Sequence, residues 1–169
     1  MIALSIILLI ISFLLQGILS NFLAYTTDTV SIFSTVYVLI TLMLLYPHFE
    51  NKRKYLIILV IFGWLVDAVY CNTFLLNIGI FYLVYKFNNF FHFIFPDNLF
   101  TINLSNLLGV FIYHIISFLI LSLIKYDHYN LMMLGRMMYC SIIMTIVYTT
   151  ISYYVIKIIK EKIELKEVK

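Results

Sequence analysis

One acidic residue, Asp67, lies inside an apolar segment and is the side chain of this sequence with the clearest chemical potential. It follows Gly63 by four residues and precedes the polar pair Asn72 and Thr73. An ionised carboxylate in the middle of a membrane helix costs roughly 2.5–3.5 kcal/mol on insertion scales. A carboxylate in this position can pair with a cation, accept hydrogen bonds or carry a proton, so it needs either a partner or a function.

Arg136 is the basic residue that the sequence offers as a partner for Asp67. In helices over residues 55–71 and 131–159, Asp67 lies roughly 18 Å from the start of the first and Arg136 roughly 8 Å from the start of the second. Charges inside membrane spans tend to face the bundle and to pair. This predicts an Asp67–Arg136 ion pair, direct or bridged by a tyrosine or a water. The alternative is that Arg136 extends alone to the membrane surface while Asp67 is protonated or exposed to water.

The rest of the sequence gives little support for an active site, a metal site or a proton relay. A relay needs a series of titratable groups, and within the apolar segments only His114 could join Asp67. The four histidines lack metal-ligand spacing, and there is no phosphate loop or nucleophile elbow. Cys71 and Cys140 form no CxxC pattern and predict buried thiols. We therefore expect no metal, no cofactor and no enzymatic activity.

The elements that must position these residues are apolar helices in a lipid bilayer. The chain has 169 residues, of which 64% are hydrophobic and 11% charged, whereas a soluble domain averages about 25% charged residues. Six apolar segments are near the ~20-residue length that crosses a membrane; they cover residues 2–23, 30–46, 55–71, 74–91, 102–124 and 131–159. The sequence predicts an all-α integral membrane protein, with six transmembrane helices and short loops in one domain.

The distribution of basic residues predicts the orientation in the membrane. One side of a six-span arrangement carries Lys52, Arg53, Lys54, Lys86, Lys157, Lys160, Lys162, Lys166 and Lys169. The other side has only Lys125 and Arg136. The positive-inside rule then places both termini, including the tail 160–169, in the cytoplasm. The net charge of +3 is too small to suggest nucleic acid as a partner.

Two segments near the predicted cytoplasmic side have more than one possible placement. Residues 87–100 are rich in aromatic side chains, and the neighbouring Lys86, Asn88 and Asn89 favour a segment lying flat at the interface over an extension of the fourth span. The tail 160–169 is expected to continue the sixth helix out of the membrane. A solvated helix end and a contact with anionic lipid or a cytosolic partner are both open for this tail.

Polar and small residues inside the predicted spans indicate contacts between helices. We expect interhelical hydrogen bonds from four polar side chains, Gln16, Asn21, Asn77 and Asn106. Gly63 and Gly79 are expected to allow close helix approach. Spans three and four are separated by so few residues that they should form a tight helical hairpin.

The residues around Asp67 resemble the signature of the MreD family of rod-shape-determining proteins. The matching positions are Gly63-x-x-x-Asp67, Tyr70-x-Asn72-Thr73 and Leu75-Leu76-Asn77. Leu75 stands where many members of the family have glycine. The length, the six-span pattern and the basic second loop are also similar to MreD over nearly the whole chain.

This resemblance implies a non-catalytic subunit of the bacterial cell-wall elongation machinery in the inner (cytoplasmic) membrane. It implies a fold similar to the S components of energy-coupling-factor transporters. The implied partner is MreC, and the indirect partners are RodA, a class B penicillin-binding protein and MreB. Carried over by position, Gly63, Asp67, Asn72 and Asn77 would serve helix packing and partner contact, and we expect the partner on the side of the helix that carries Gly63 and Asp67.

Two other functions are alternatives to a scaffold. One is an S component that binds a vitamin in a polar cavity near the outer face, with Asp67 and Arg136 among its lining residues. Against it, residues 2–15 are mostly bulky and lack a stripe of small residues for docking a transporter subunit. The other is an intramembrane enzyme, which would need more convergent polar groups than this sequence offers.

Overall fold

The structure is a computed structural model, and it describes residues 2–24, 36–49, 51–71, 73–96, 98–124 and 131–167. These residues form six α-helices and no strand: α1 (Ile2–Ala24), α2 (Tyr37–Leu45), α3 (Lys52–Val66), α4 (Leu76–Ile94), α5 (Leu99–Leu123) and α6 (Leu131–Glu167). A 3-10 turn, Tyr46–His48, follows α2, and a π-helical turn, Asp67–Cys71, follows α3. The prediction of an all-α protein is confirmed for the described residues.

Several of these helices are suited to a lipid environment. Three helical stretches of the described residues are long and apolar enough to cross a membrane, namely Lys52–Cys71, Leu99–Ile120 and Leu134–Glu161. Two shorter apolar stretches, Leu4–Leu19 and Tyr37–His48, accompany them. α4 does not belong to either group, since polar side chains such as Lys86 and Asn88 lower its hydropathy. The helices are compatible with a membrane protein, and the count of six spans stays a prediction.

α2 forms the centre of the bundle. All nine of its residues are buried, as expected for a helix that is apolar on every side. It packs against α1, α4, α5 and α6. Gly109 of α5 permits a close approach to α2, because a Cβ atom there would lie 2.5 Å from the sulfur of Met43. The outer helices are thus arranged around α2.

The other helices pack in antiparallel pairs. In the α5–α6 pair, the Asn103 side chain donates to Thr150 at 3.4 Å and the Asn106 side chain donates to Thr149 at 3.3 Å. α3 and α4 form the second pair and are joined by a short turn. This hairpin is the arrangement that the short separation of the two apolar segments predicts.

The outer faces of the helices are apolar. Large exposed hydrophobic side chains run along three of the helices: Ile7, Ile10, Ile11, Leu14 and Ile18 of α1, Ile57, Val60, Ile61 and Trp64 of α3, and Ile143, Ile146, Val147 and Ile151 of α6. A soluble monomer seldom exposes continuous apolar surface on this scale. Lipid is the solvent that such a surface fits.

Residues 87–94 continue α4 instead of leaving it to lie along an interface. The helix stays packed on one side here, because Asn88 and Phe91 are buried. The Asn88 side chain donates to the carbonyl of Met43 at 3.2 Å and accepts from the Ser105 hydroxyl at 2.9 Å. Of the two placements left open for this segment, the structure favours the extension of the fourth helix over the interfacial one that the sequence favoured, since these contacts hold one face of the helix against α2 and α5. α4 ends at Ile94, two residues before Pro96.

Candidate functional site

Asp67 lies where α3 passes into its final π-helical turn, and it is 1% exposed. Its Oδ1 accepts hydrogen bonds from the Thr73 hydroxyl and from the side-chain amide of Asn77, the second at 2.8 Å. The backbone N–H of Asn77 lies 3.1 Å from Oδ1 and 3.0 Å from Oδ2. A buried carboxylate is tolerated when donors surround it in this way.

The carboxylate of Asp67 takes the place of an N-cap side chain for α4. Leu75 occupies the N-cap position, and its side chain makes no cap hydrogen bond. The N–H of Asn77, in the first turn of the helix, has no intrahelical acceptor and needs one from elsewhere. Asp67 supplies that acceptor from the other side of the turn. The helix macrodipole also favours a negative charge at this end.

The backbone of the turn adopts an unusual conformation at Leu75. Its φ is 62° and its ψ is 5°, in the left-handed region, and it is the one non-glycine residue with positive φ in the described chain. Glycine adopts this conformation without the steric cost that a side chain brings. The turn is closed on its other side by a hydrogen bond of 3.3 Å from the N–H of Thr73 to the carbonyl of Asp67.

Asn77 extends the network to a third helix. It is fully buried, and its Oδ1 accepts a hydrogen bond of 2.8 Å from the hydroxyl of Tyr113 on α5. Its side-chain amide also lies 3.3 Å from the sulfur of Cys71. Asn77 therefore uses both ends of its amide, and Asp67 is linked through it to α5.

Because Cys71 is exposed, the expectation that it is a buried thiol is wrong.

Gly63 lies where the two helices of the hairpin come closest. A Cβ atom at this position would lie 3.1 Å from the Cα of Ile78 and 3.3 Å from its backbone N. Any side chain here would push α4 away from α3. Gly79 differs, because a Cβ atom there would meet nothing within 4 Å. Both glycines were predicted to allow close helix approach, and of the two only Gly63 does so.

Tyr70, in the π-helical turn, connects the site to α1. Its hydroxyl donates to the carbonyl of Phe13 at 2.6 Å, and the two rings are 4.8 Å apart. Gly17 makes room for this contact, since a Cβ atom there would lie 2.6 Å from the Tyr70 hydroxyl. The sequence shows a tyrosine two residues before the polar turn. Its spacing does not indicate that its partner lies on α1.

Arg136 is not brought to Asp67. It lies on an exposed face of α6, whereas Asp67 is enclosed between α3 and α4. Among the described residues no ion pair joins the two, and the carboxylate has donors from its own turn instead. Asn72, the remaining residue of the predicted motif, lies outside the described residues.

The site as a whole is a closed polar cluster that joins four helices. Its carboxylate accepts from the donors of Thr73 and Asn77 and has almost no exposed surface. In the part of the chain that the structure describes, no three residues of the types His, Cys, Asp and Glu lie close enough to hold a metal ion. The arrangement is suited to fixing the geometry of the hairpin.

No family model, curated protein or solved structure matches this chain. Function is therefore inferred from the residues and contacts of the chain itself.

A second polar cluster lies between α1, α2 and α6, and the sequence reasoning missed it. The hydroxyls of Ser12, Thr41 and Tyr148 lie within 2.6–2.8 Å of one another. Each hydroxyl comes from a different helix, so the cluster fixes the relative positions of all three. Ser, Thr and Tyr are too frequent in this chain for their types alone to reveal such a contact.

Other buried polar atoms have no hydrogen-bond partner within the described structure. They include the Tyr37 hydroxyl on α2, Nε2 of His114 on α5 and Oγ1 of Thr145 on α6. The three residues are 2%, 6% and 0% exposed. Each such group costs free energy when it is buried without a partner, so these positions differ from the satisfied clusters described above.

Proposed function

We propose that this chain is a non-catalytic membrane scaffold of the bacterial cell-wall elongation complex, of the MreD type. In this proposal it binds MreC, and through MreC it regulates the synthase pair of RodA with a class B penicillin-binding protein, alongside MreB. Its orientation would be that of a multi-pass protein of the inner membrane with both termini in the cytoplasm. The proposal rests on the geometry of the α3–α4 turn, taken together with the motif that surrounds it.

The conformation of Leu75 is the observation that carries this proposal. The family signature has glycine at this position in many members, and this chain has leucine. Leu75 nevertheless adopts φ 62°, the left-handed conformation that glycine takes most readily. The chain thus has a different side chain at this position, but the backbone of the turn has the conformation that a glycine would adopt. This supports the resemblance at the one position where the sequence departs from it.

The closed state of the Asp67 site supports a structural role for the motif. Its lone pairs are directed at the start of α4, and the residue is 1% exposed. A general base needs an open path to a substrate proton. The neighbouring Gly63 likewise serves the packing of α3 on α4. The motif residues act on a partner indirectly, by fixing the shape of the hairpin.

The apolar end of this hairpin is the surface that we propose for MreC. Val69, Phe74 and Leu75 are 58%, 79% and 50% exposed and surround the turn. In the predicted orientation this turn faces the outer leaflet, where the transmembrane helix of MreC leads into its periplasmic domain. A large aromatic side chain held by a rigid turn is a common anchor in protein interfaces. The side of α3 that carries Gly63 and Asp67 is buried, so the partner surface is expected at the turn instead.

Co-purification with MreC tests the proposal. Both proteins are expressed together, extracted in a mild detergent and purified through a tag on this chain. We expect stable recovery of MreC, and we expect Phe74→Ala to lower that recovery roughly tenfold, as removal of an anchor side chain does. Phe93→Ala is the matched control, because Phe93 is 88% exposed at the opposite end of α4. Failure to recover MreC when both chains are well expressed would contradict the proposal.

The unpartnered polar atoms of Tyr37, His114 and Thr145 favour a second candidate, an S component that binds a vitamin. They come from α2, α5 and α6, and a polar ligand that reached any one of these atoms would satisfy it. Mass spectrometry of the purified protein distinguishes the two functions. A co-purifying vitamin, or nanomolar binding of one, would favour the S component over the scaffold.

A further inference from the structure

Four basic side chains gather at one end of the α3–α4 hairpin, which we call the basic end. Lys52, Arg53 and Lys54 form the first turn of α3, and Lys86 lies just past the middle of α4, level with that turn; all four are exposed. The two helices are antiparallel, and Gly63 packs against Ile78. By this register, Lys54 and Lys86 lie at nearly the same level on neighbouring helices.

The positive charge of the basic end is not balanced by the described residues around it. The first turn of α3 contains no acidic residue, and no carboxylate in the described chain forms an ion pair with Arg53, Lys54 or Lys86. The helix macrodipole is positive at this end, so three cations there repel it as well as one another. An anion from outside the chain would relieve both repulsions.

A cluster of tyrosine rings lies beside these cations. Tyr46, Tyr55 and Tyr85 have ring centroids 5.4–5.5 Å apart. The ammonium group of Lys52 lies 3.7 Å from the ring centroid of Tyr46. Tyrosine is enriched where the hydrocarbon of a bilayer meets the headgroups. Cations beside such rings fit the depth of the lipid phosphates.

Two of the four cations are held in place, and the other two are directed outward. Lys52 also donates to the carbonyl of Tyr46 at 3.3 Å, and Lys86 lies 5.5 Å from the ring centroid of Tyr82. Arg53 and Lys54 have exposed side chains. A guanidinium group can bind a phosphate with two parallel hydrogen bonds, and an ammonium group binds it as a point charge.

We propose that Arg53, Lys54 and Lys86 bind the phosphodiester headgroup of an anionic phospholipid. The lipid would lie with its acyl chains along the apolar outer face of α3, where Ile57, Val60 and Ile61 are exposed. Its phosphate would meet the cations above the tyrosine rings. The surface matches both parts of such a ligand, since a positive headgroup site continues into an apolar helix face.

Lipid binding to the purified full-length chain tests this site. The protein is stripped of lipid in a neutral detergent and titrated with phosphatidylglycerol or with phosphatidylcholine of the same acyl chains, and bound lipid is counted by native mass spectrometry. We expect preferential binding of phosphatidylglycerol that weakens with added salt. Each cation near an anionic surface contributes about fivefold in affinity, so Arg53→Gln with Lys54→Gln should weaken binding about 30-fold.

Two controls are needed. One distinguishes a specific lipid site from general electrostatic attraction, and the other distinguishes a lipid headgroup from a free anion. Arg136→Gln removes one positive charge from an exposed position on α6, on the opposite predicted side of the membrane, and should leave binding within about twofold of the unaltered chain. A loss in Arg136→Gln equal to the loss in Lys86→Gln would overturn the site. Displacement of the lipid by inorganic phosphate at constant ionic strength would overturn the headgroup assignment. If the Arg53/Lys54 variant does not fold, Lys86→Gln alone should still weaken binding about fivefold.

Discussion

The carboxylate of Asp67 caps the helix that begins at Leu76, through the backbone N–H of Asn77 at 3.0 Å and 3.1 Å from its two oxygens. The two residues are ten positions apart and lie on opposite sides of the turn that joins α3 to α4. This contact accounts for an acidic residue in an apolar chain without a basic partner. It makes the end of α3 and the start of α4 one structural unit.

Replacing Asp67 tests whether the cap stabilises the hairpin. Asp67→Ala leaves the buried N–H and side-chain amide of Asn77 without their acceptor, and we expect a loss of about 2–4 kcal/mol in unfolding free energy. Thr73→Val removes only one donor and should cost about 1 kcal/mol. Both are measured by denaturant unfolding in detergent. Equal stability of Asp67→Ala and the unaltered chain would contradict the capping role.

The adjacent leucines of the turn should respond to glycine in opposite ways. Leu75→Gly relieves a positive φ that costs a side chain about 1–2 kcal/mol, against an entropy cost of about 0.5–1 kcal/mol, so stability should rise by up to about 1.5 kcal/mol. Leu76→Gly places glycine in the first turn of α4 and also removes a side chain packed against the core, so it should lower stability by more than about 1 kcal/mol. The comparison is made by thermal unfolding. A loss of stability in both variants would mean that Leu75 is not strained.

The two glycines of the hairpin should also differ. Gly63→Ala brings a methyl group against the backbone of Ile78, and we expect a loss of about 1–3 kcal/mol from overpacking. Gly79→Ala meets no neighbouring atom and should raise stability by about 0.5–1 kcal/mol through helix propensity. Unfolding midpoints of the two variants provide the measurement, and similar changes in both would contradict the close approach at Gly63.

Two threonines one turn apart on α6 separate a satisfied hydroxyl from an unsatisfied one. Thr149 accepts a hydrogen bond from the Asn106 side chain at 3.3 Å, so Thr149→Val should lower stability by about 1 kcal/mol. Thr145 is fully buried, and its hydroxyl has no partner among the described residues. Thr145→Val should therefore leave stability unchanged or raise it. A clear loss in Thr145→Val, measured by the same unfolding experiment, would indicate a bound molecule at that hydroxyl.

Arg136 should contribute little to the fold. It is exposed, and Asp67 has other donors, so Arg136→Gln is expected to change the unfolding free energy by less than about 0.5 kcal/mol. An ion pair with Asp67 predicts a different result, in which Arg136→Gln is as harmful as Asp67→Ala and an exchange of the two charges restores stability. Unfolding of the single and double variants measures the difference.

Sequence reasoning predicted the helices and several of the contacts between them. Asn106 was expected to form an interhelical hydrogen bond, and its bond to Thr149 confirms this. The same holds for Gln16, whose side-chain oxygen accepts from the N–H of Val38 at 3.4 Å. These predictions succeed because a polar side chain inside an apolar helix has few options other than a neighbouring helix.

The partner of Asp67 was not predictable in the same way. Charge and helix depth pointed to Arg136, since both can be read from spacing. The donors of Asn77 come within reach only through the left-handed backbone of Leu75, and leucine gives no signal for that conformation. Turn geometry, rather than residue type, decided which groups meet the carboxylate.

The complete burial of α2 has a consequence for how the protein responds to its bilayer. Its nine residues span only about 14 Å, and all of them contact protein rather than lipid. α6, with 37 residues, is about 55 Å long, and its exposed apolar residues between Ile143 and Ile158 form a face that fits acyl chains. A thicker or thinner bilayer should therefore change the tilt of the peripheral helices. The contacts of α2 should stay the same, because they are made with protein.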